Sequence, residues 1–157
     1  MANHVPEGVP FVWEQAEKRL DAQLRHADAL DTKAGGLVGL HAVAAGLVAT
    51  FAHTASGRGR WVAIAVIAGL VVSGFLALLG FRVEGYARDP SPEELWRFGA
   101  WEPEAIQYRL LAARFTSLRA NAIRLERKAR YVARSLVGLA VIALMVATTG
   151  IVALVVR

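Results

Sequence analysis

Three long stretches without a formal charge constrain this chain more than any other feature of its sequence. They are residues 34–53, 61–81 and 136–156, each close to the ~20 apolar residues that a helix needs to cross the hydrocarbon core of a bilayer. In hydrocarbon every backbone N–H and C=O group must be paired within the protein, and a helix achieves this by itself. The pattern therefore predicts an all-α membrane protein with three transmembrane helices.

The first stretch is the weakest of the three, because it is rich in glycine and alanine and contains His41. A charged segment of 33 residues precedes it, which is not the pattern of a secretory signal peptide. We therefore expect a membrane span here. The chain has no cysteine, which excludes disulfides and cysteine-based metal sites. Its four histidines are scattered, so no metal centre and no other cofactor is expected.

Lysine and arginine are distributed unevenly among the segments that flank the spans. With the N-terminus in the cytoplasm, 15 of the 18 lie in the cytoplasm and three lie outside. Cytoplasmic loops of membrane proteins carry the excess of these residues. The sequence therefore predicts a multi-pass protein of the bacterial inner membrane, with its N-terminus inside and its C-terminus outside. The net charge of +5 reflects these loops, and no nucleic-acid partner is expected.

The segment before the first span is predicted to form a helix that runs into that span. Pro10 suits the start of a helix, and residues 11–33 contain neither glycine nor proline. Apolar side chains share one face, and an acidic stripe lies beside it. The apolar face carries Trp13, Ala16, Leu20, Leu24 and Ala27, and the stripe carries Glu14, Glu17, Asp21 and Asp28.

A connector follows the second span. Ser91, Pro92 and Glu94 match the N-cap, first position and capping box of a short helix. The aromatic residues of this region either lie at the membrane interface or pack on the long helices. The chain thus divides into an N-terminal cytoplasmic helix (1–33), two spans with a short outer loop (34–81), a connector with a long basic helix (82–135) and a third span (136–157).

The helix predicted from Pro103 onward has the most regular apolar spacing in the chain. Its apolar residues alternate three and four apart, as in a coiled coil: Tyr108, Leu111, Phe115, Leu118, Ala122, Leu125, Ala129, Val132 and Leu136. This seam needs cover, either from the N-terminal helix of the same chain or from another copy. In the second case the homo-oligomer contacts are Leu111, Phe115, Leu118, Leu125 and Val132. The first and third helices are expected to extend into a cytoplasmic helical stalk.

A basic face lies roughly opposite the seam, at about 100° per residue. It is either a binding surface for anionic lipid, nucleic acid or a phosphate ligand, or a solvated face partly paired with the acidic stripe. The candidate ligand or trigger contacts are Arg119, Arg124, Arg127, Lys128 and Arg130.

Asp31 falls on the apolar face of the N-terminal helix, close to where lipid begins. An ionised carboxylate at that depth is costly unless it is paired. We expect Asp31 to pair with Arg130, Arg134 or Arg82 as a structural clamp at the membrane border, while Lys33 reaches the lipid headgroups. The alternative is a proton-carrying role for Asp31.

His41 is the titratable residue in the interior of the predicted spans, since His53 lies at the end of the first one. It either lines a pore or, as is more common, forms a hydrogen bond to a neighbouring backbone group. Stripes of small residues, which let helices approach closely, occur in the first two spans. They are Gly35, Gly39, Ala42, Gly46 and Ala49, and then Gly69, Ser73, Ala77 and Gly80.

The stretch RHADALDTKAGGLVGLHAVAAGLVA, with Asp31, Lys33 and Ala34 in a D-x-K-A arrangement, resembles bacterial Pycsar-type transmembrane effectors. The order of spans and the long basic helix entering the last span are similar as well. The resemblance implies a role in anti-phage defence, in which a cyclase makes a cyclic pyrimidine nucleotide and the effector compromises the inner membrane. Some relatives carry a separate nucleotide-sensing domain, whereas this chain has no room for one and no phosphate-cradling glycine-rich loop.

Two functions follow as hypotheses. The first is a homo-oligomeric effector that permeabilises or disrupts the membrane on a cytoplasmic trigger, either a cyclic nucleotide or a partner that senses one. The second is a non-lethal oligomeric scaffold or channel-like protein without nucleotide input. An enzyme is not expected, because no nucleophile–base pair, paired carboxylates or metal cluster is found near the membrane surface. The expected partners are the lipid bilayer and further copies of the chain.

Overall fold

The computed structural model describes residues 8–54, 57–83, 85–87 and 103–155. Almost all of them lie in three α-helices: α1 (Gly8–Thr54), α2 (Arg58–Phe81) and α3 (Pro103–Val155). The described part of the chain contains no strand, and each helix is long and apolar enough to cross a membrane. The chain is therefore an all-α membrane protein with three candidate spans, as predicted.

The helix boundaries follow local features of the sequence. Helix α1 begins two residues before Pro10 and continues without a break for 47 residues. Gly57, which precedes α2, has a φ of 57°, a conformation that glycine adopts without strain. Helix α3 passes through Gly138 without interruption, since a break in hydrocarbon leaves backbone groups unpaired. The short helix predicted at Ser91 lies outside the described residues.

The chain divides into two compact units. The first consists of Met1–Asp28 and Glu84–Glu126. In its described part, Ala16 and Leu20 of α1 pack against Leu118 of α3, with Leu24 and Leu111 beside them. Removing these apolar side chains from water stabilises the contact. Within this unit, α1 therefore covers part of the predicted seam from the same chain.

The second unit consists of Ala29–Val83 and Arg127–Arg157. All three helices contribute to its buried centre, which is made of Ala34, Leu37, Ala77 and Val132. In lipid, helices associate through close packing, and small residues permit the approach. At Gly80 an added Cβ would lie 3.4 Å from the Cβ of Tyr131, so this glycine allows α2 to lie directly against α3.

The structure divides the predicted seam of α3 into two rows. Leu118, Leu125 and Val132 are buried, and Leu111 packs in the cluster that contains Leu118. The alternate positions face outward: Tyr108, Phe115 and Leu136 are about half exposed. We call these three residues the exposed row. Polar positions of α3 are buried in its place, namely Asn121, Lys128 and Ser135.

The two stripes of small residues have different environments. In α2, Ser73, Ala77 and Gly80 are buried. In α1, by contrast, an added Cβ at Gly35, Gly39 or Gly46 would meet no atom within 4 Å. Only the stripe of α2 is used for packing within the second unit, and the stripe of α1 is open.

Candidate functional site

Four polar residues follow one another at seven-residue intervals along α3: Arg114, Asn121, Lys128 and Ser135. Seven residues are close to two helical turns, so the four lie on one face of the helix. Asn121, Lys128 and Ser135 are at most 1% exposed, and the side chain of Arg114 is 15% exposed. We call these four residues the polar register. Buried polar groups are costly without partners. Arg114, Asn121 and Lys128 each have a partner for the side chain, and Ser135 has one for its backbone carbonyl.

In the first unit, Arg114 lies against α1. Its guanidinium carbon is 4.6 Å from the ring centroid of Trp13, at the distance of a cation–π contact. Its Nη1 is 3.8 Å from Oε1 of Glu17, which is half exposed. An ion pair that long and that accessible adds roughly 0–1 kcal/mol. The stacking on Trp13 is therefore the main attachment of Arg114 to α1.

Asn121 binds the segment that follows α2. Its Oδ1 accepts a hydrogen bond of 2.9 Å from the Ala87 N–H, and its Nδ2 donates one of 3.1 Å to the Ala87 carbonyl. The side-chain amide thus satisfies both backbone groups of one residue. Gln23 of α1 similarly donates to the Leu118 carbonyl at 3.1 Å. Polar side chains therefore connect three segments of this unit at defined positions.

In the second unit, Lys128 pairs with Asp31 of α1. The distance between Nζ and Oδ1 is 2.6 Å, and the two side chains are 1% and 35% exposed. Removing one partner of a buried ion pair costs about 3–5 kcal/mol, since it leaves a charge without compensation. The expected clamp is therefore present at Asp31, but the cation is Lys128 rather than Arg130, Arg134 or Arg82. Lys33 and Arg134, the other predicted members of the clamp, are exposed.

Ser135 continues the register directly before the predicted third span. Its carbonyl accepts a 2.8 Å hydrogen bond from the Ser73 hydroxyl of α2. The same hydroxyl oxygen lies 2.9 Å from Nε2 of His41, whose Nδ1 is 2.6 Å from the Leu37 carbonyl. Polar contacts through Ser73 and His41 thus join the three helices inside the second unit.

His41 itself is 4% exposed. Its contacts match the alternative in which this histidine bonds to a neighbouring backbone group, here the carbonyl one turn earlier in α1. The Oγ of Ser135 is buried, and the described residues offer it no hydrogen-bond partner.

The five predicted trigger contacts differ in how exposed their side chains are. Arg119, Arg127 and Arg130 are exposed, Arg124 is half-buried, and Lys128 is buried. Lys128 had been placed on the basic face by its angle along the helix, but its burial against Asp31 removes it from that accessible surface. The other four remain accessible to a soluble ligand.

Sequence reasoning identified the pairing requirement of Asp31 but missed the roles of Asn121, Ser135 and Ser73. The sequence contains a pattern that could have predicted these contacts, since polar residues recur every seven positions from Arg114 to Ser135. Such a repeat beside a coiled-coil seam indicates polar pairings that decide which helices meet and in what alignment.

The chemistry available at the polar register is that of recognition between helices. Among the described residues, no group of three or more side chains is arranged to hold a metal ion. Outside the spans, the pKa of Glu14 is lowered from 4.5 by its hydrogen bond to Lys18 and then by the charge of that lysine. Both side chains are largely exposed, so this pair belongs to the surface of α1.

Three candidate spans and the polar contacts between them define a multi-pass helical membrane protein. Residues 14–156 match the Pycsar effector protein domain. The chain belongs to this family, in agreement with the resemblance seen in its sequence. Comparisons with curated proteins and with solved structures gave no match.

Proposed function

We propose that this chain is an effector of anti-phage defence that permeabilises or disrupts the bacterial inner membrane in response to a cytoplasmic trigger. Membership in the Pycsar effector family over nearly the whole chain is the observation that carries this proposal. The three candidate spans support the proposal, since such an activity has to occur in a membrane. The distribution of lysine and arginine supports an N-terminus in the cytoplasm and a C-terminus outside.

Membrane disruption requires several copies, because three helices in one chain are too few to surround a sizeable pore. Two surfaces suit self-association. Phe115 and Tyr108 of the exposed row are about half exposed, and the α1 stripe at Gly39 and Gly46 is open. Exposed apolar rows and small-residue stripes are both common helix contacts, the first in water and the second in lipid.

The trigger is proposed to act on the cytoplasmic part of α3. Arg119 is exposed, and Arg124 is half-buried with its Nη1 beside Gly85, so an anionic ligand can reach both. We infer a cyclic nucleotide, or a protein that senses one, as that ligand, and no enzymatic activity of the chain itself. A ligand changes helix packing only if it binds the two packings with different affinity. Buried pairs such as Lys128–Asp31 favour discrete packings, since they are either made or broken.

Controlled expression in a bacterium tests the proposal. Cells that express the chain with a cyclic-pyrimidine-nucleotide cyclase are expected to stop growing and to admit a membrane-impermeant dye. Phe115→Ser is expected to reduce dye entry and the mass of the detergent-solubilised complex. Phe11→Ser is the matched control, since Phe11 is an exposed phenylalanine of α1 outside the row.

Two results would contradict the proposal. Normal growth with dye exclusion, with and without the cyclase, would favour the non-lethal scaffold or channel-like protein. Equal effects of Phe115→Ser and Phe11→Ser would remove the exposed row from the proposed assembly.

A further inference from the structure

A basic cleft lies on α3 just before its predicted span. Arg127, Arg130, Tyr131 and Arg134 line it, and its volume is about 180 Å³. The four residues occupy two consecutive turns on one side of the helix. The three arginines are exposed, so the cleft is open to a ligand. Tyr131 is half-buried and forms the least exposed side of the cleft.

Tyr131 packs against α2. Tyr131 packs at Gly80, where an added Cβ would lie 3.4 Å from the Cβ of the tyrosine. The cleft therefore borders the end of α2, within the second unit.

The positive charge of the cleft is incompletely compensated. Asp31, which the sequence predicts to pair with Arg130 or Arg134, is bound to Lys128 instead. Among the described residues, neither Arg127 nor Arg134 forms a salt bridge or a hydrogen bond through its side chain. Guanidinium groups bind phosphate oxygens through two parallel hydrogen bonds, so the cleft is suited to a phosphate-bearing ligand.

The depth of the cleft identifies the source of that phosphate. At 1.5 Å per residue, Arg134 lies about 3 Å and Arg127 about 14 Å along the axis before residue 136, where the uncharged stretch starts. The headgroup region extends roughly 5–8 Å beyond the hydrocarbon core on each side, so lipid phosphates lie beside Arg130 and Arg134, one to two turns from Arg127. Arginine side chains near helix ends extend to the same level.

We propose that Arg127, Arg130 and Arg134 bind the phosphodiester of an anionic phospholipid in this cleft. The bound headgroup holds the border of the third span at a fixed depth in the membrane. This inference concerns lipid binding by the resting protein and does not depend on whether the chain disrupts membranes.

Native mass spectrometry of the full chain in detergent, titrated with phosphatidylglycerol or phosphatidylcholine, tests the proposal. Arg127→Gln/Arg134→Gln removes two exposed charges from the cleft. Arg19→Gln/Arg25→Gln removes two exposed charges from α1 and serves as the matched control. The cleft variant is expected to bind phosphatidylglycerol roughly tenfold more weakly or worse, and the control to change by less than about threefold.

Circular dichroism and gel filtration verify that each variant is folded. Arg127→Lys/Arg134→Lys keeps the charge, so it is expected to retain more phosphatidylglycerol binding than the glutamine variant. If the glutamine variant fails to fold, the lysine variant is compared with the unmodified chain, and weaker binding is expected because lysine cannot form the two parallel hydrogen bonds of a guanidinium group.

Three outcomes would overturn the proposal. The first is equal binding of phosphatidylglycerol and phosphatidylcholine by the unmodified chain. The second is an equal loss of binding in the cleft and control variants. The third is displacement of the lipid by micromolar inorganic phosphate or a cyclic pyrimidine mononucleotide, which would identify a site for a soluble phosphate ligand instead.

Discussion

Lys128 is almost completely buried, and its ammonium nitrogen lies 2.6 Å from the carboxylate of Asp31. The lysine comes from α3 and the aspartate from α1, within the same compact unit. A buried ammonium without a counter-charge is strongly unfavourable. The D-x-K-A arrangement therefore supplies the carboxylate that a lysine nearly a hundred positions later requires.

The first prediction concerns this pair. Asp31→Asn is expected to destabilise the protein by on the order of 3 kcal/mol, because the charge of Lys128 is left buried. The thermal stability of the detergent-solubilised chain measures the loss. Asp21→Asn, at an exposed aspartate of the same helix, is expected to change stability little.

Lys128→Met removes the buried charge itself. Combined with Asp31→Asn, it is expected to restore much of the lost stability, since replacing both partners of a buried pair is often close to neutral. If the stability loss of the double variant equals the sum of the losses of the two single variants, the two residues do not interact as the structure implies.

The second prediction concerns Asn121 and its two hydrogen bonds to Ala87. Asn121→Leu keeps a similar volume but leaves both backbone groups of Ala87 without this partner. A loss of about 1–3 kcal/mol is expected, together with faster hydrogen exchange of the Ala87 amide. Gln15→Leu alters an exposed amide of α1 and is expected to leave that exchange rate unchanged. Unaltered protection at Ala87 in Asn121→Leu would exclude the proposed attachment.

The third prediction uses two glycines of α3. An added Cβ at Gly138 would lie 2.6 Å from the Ser73 Oγ, whereas one at Gly150 would meet nothing within 4 Å. Gly138→Ala is therefore expected to displace Ser73 from the Ser135 carbonyl and to cost about 1–3 kcal/mol. Gly150→Ala is expected to be neutral or slightly stabilising, because alanine favours helix by up to about 1 kcal/mol.

Removal of the clashing hydroxyl provides an internal control. In the Gly138→Ala background, Ser73→Ala is expected to be less harmful than in the unmodified chain. Additive losses would show that the contact between Gly138 and Ser73 is not the cause of the instability.

The fourth prediction tests the orientation of the spans. The chain has no cysteine, so a single introduced cysteine reports its own location. With the N-terminus inside, His53→Cys at the end of the first span is expected to react with an impermeant maleimide in intact cells. Gln107→Cys is expected to react only after lysis. Labelling in the opposite sense would reverse the proposed topology.

Much of the fold could be predicted because it depends on local features. Uncharged stretches of about 20 residues predict spans wherever they occur, and the absence of proline from residues 11–53 predicts that α1 continues into the first of them. The need of Asp31 for a cation was also predictable, since it follows from the depth of one carboxylate.

The choice of partners required the tertiary structure. Lys128, Arg130 and Arg134 are all basic and close along α3, yet at 100° per residue Lys128 points away from the two arginines. Packing between the helices decides which of them meets Asp31, and it selects the lysine. The same packing turns Asn121 and Ser135 inward and leaves Phe115 outside.

The sequence by itself determined how many helices cross the membrane and that one carboxylate at its border had to be neutralised, because hydrocarbon penalises every unpaired charge and backbone group. Which side chains meet was decided only by the tertiary structure. The rotation of α3 about its axis depends on small-residue contacts such as those at Gly80 and Gly138. Such contacts arise between segments far apart in the chain, so no local pattern contains them.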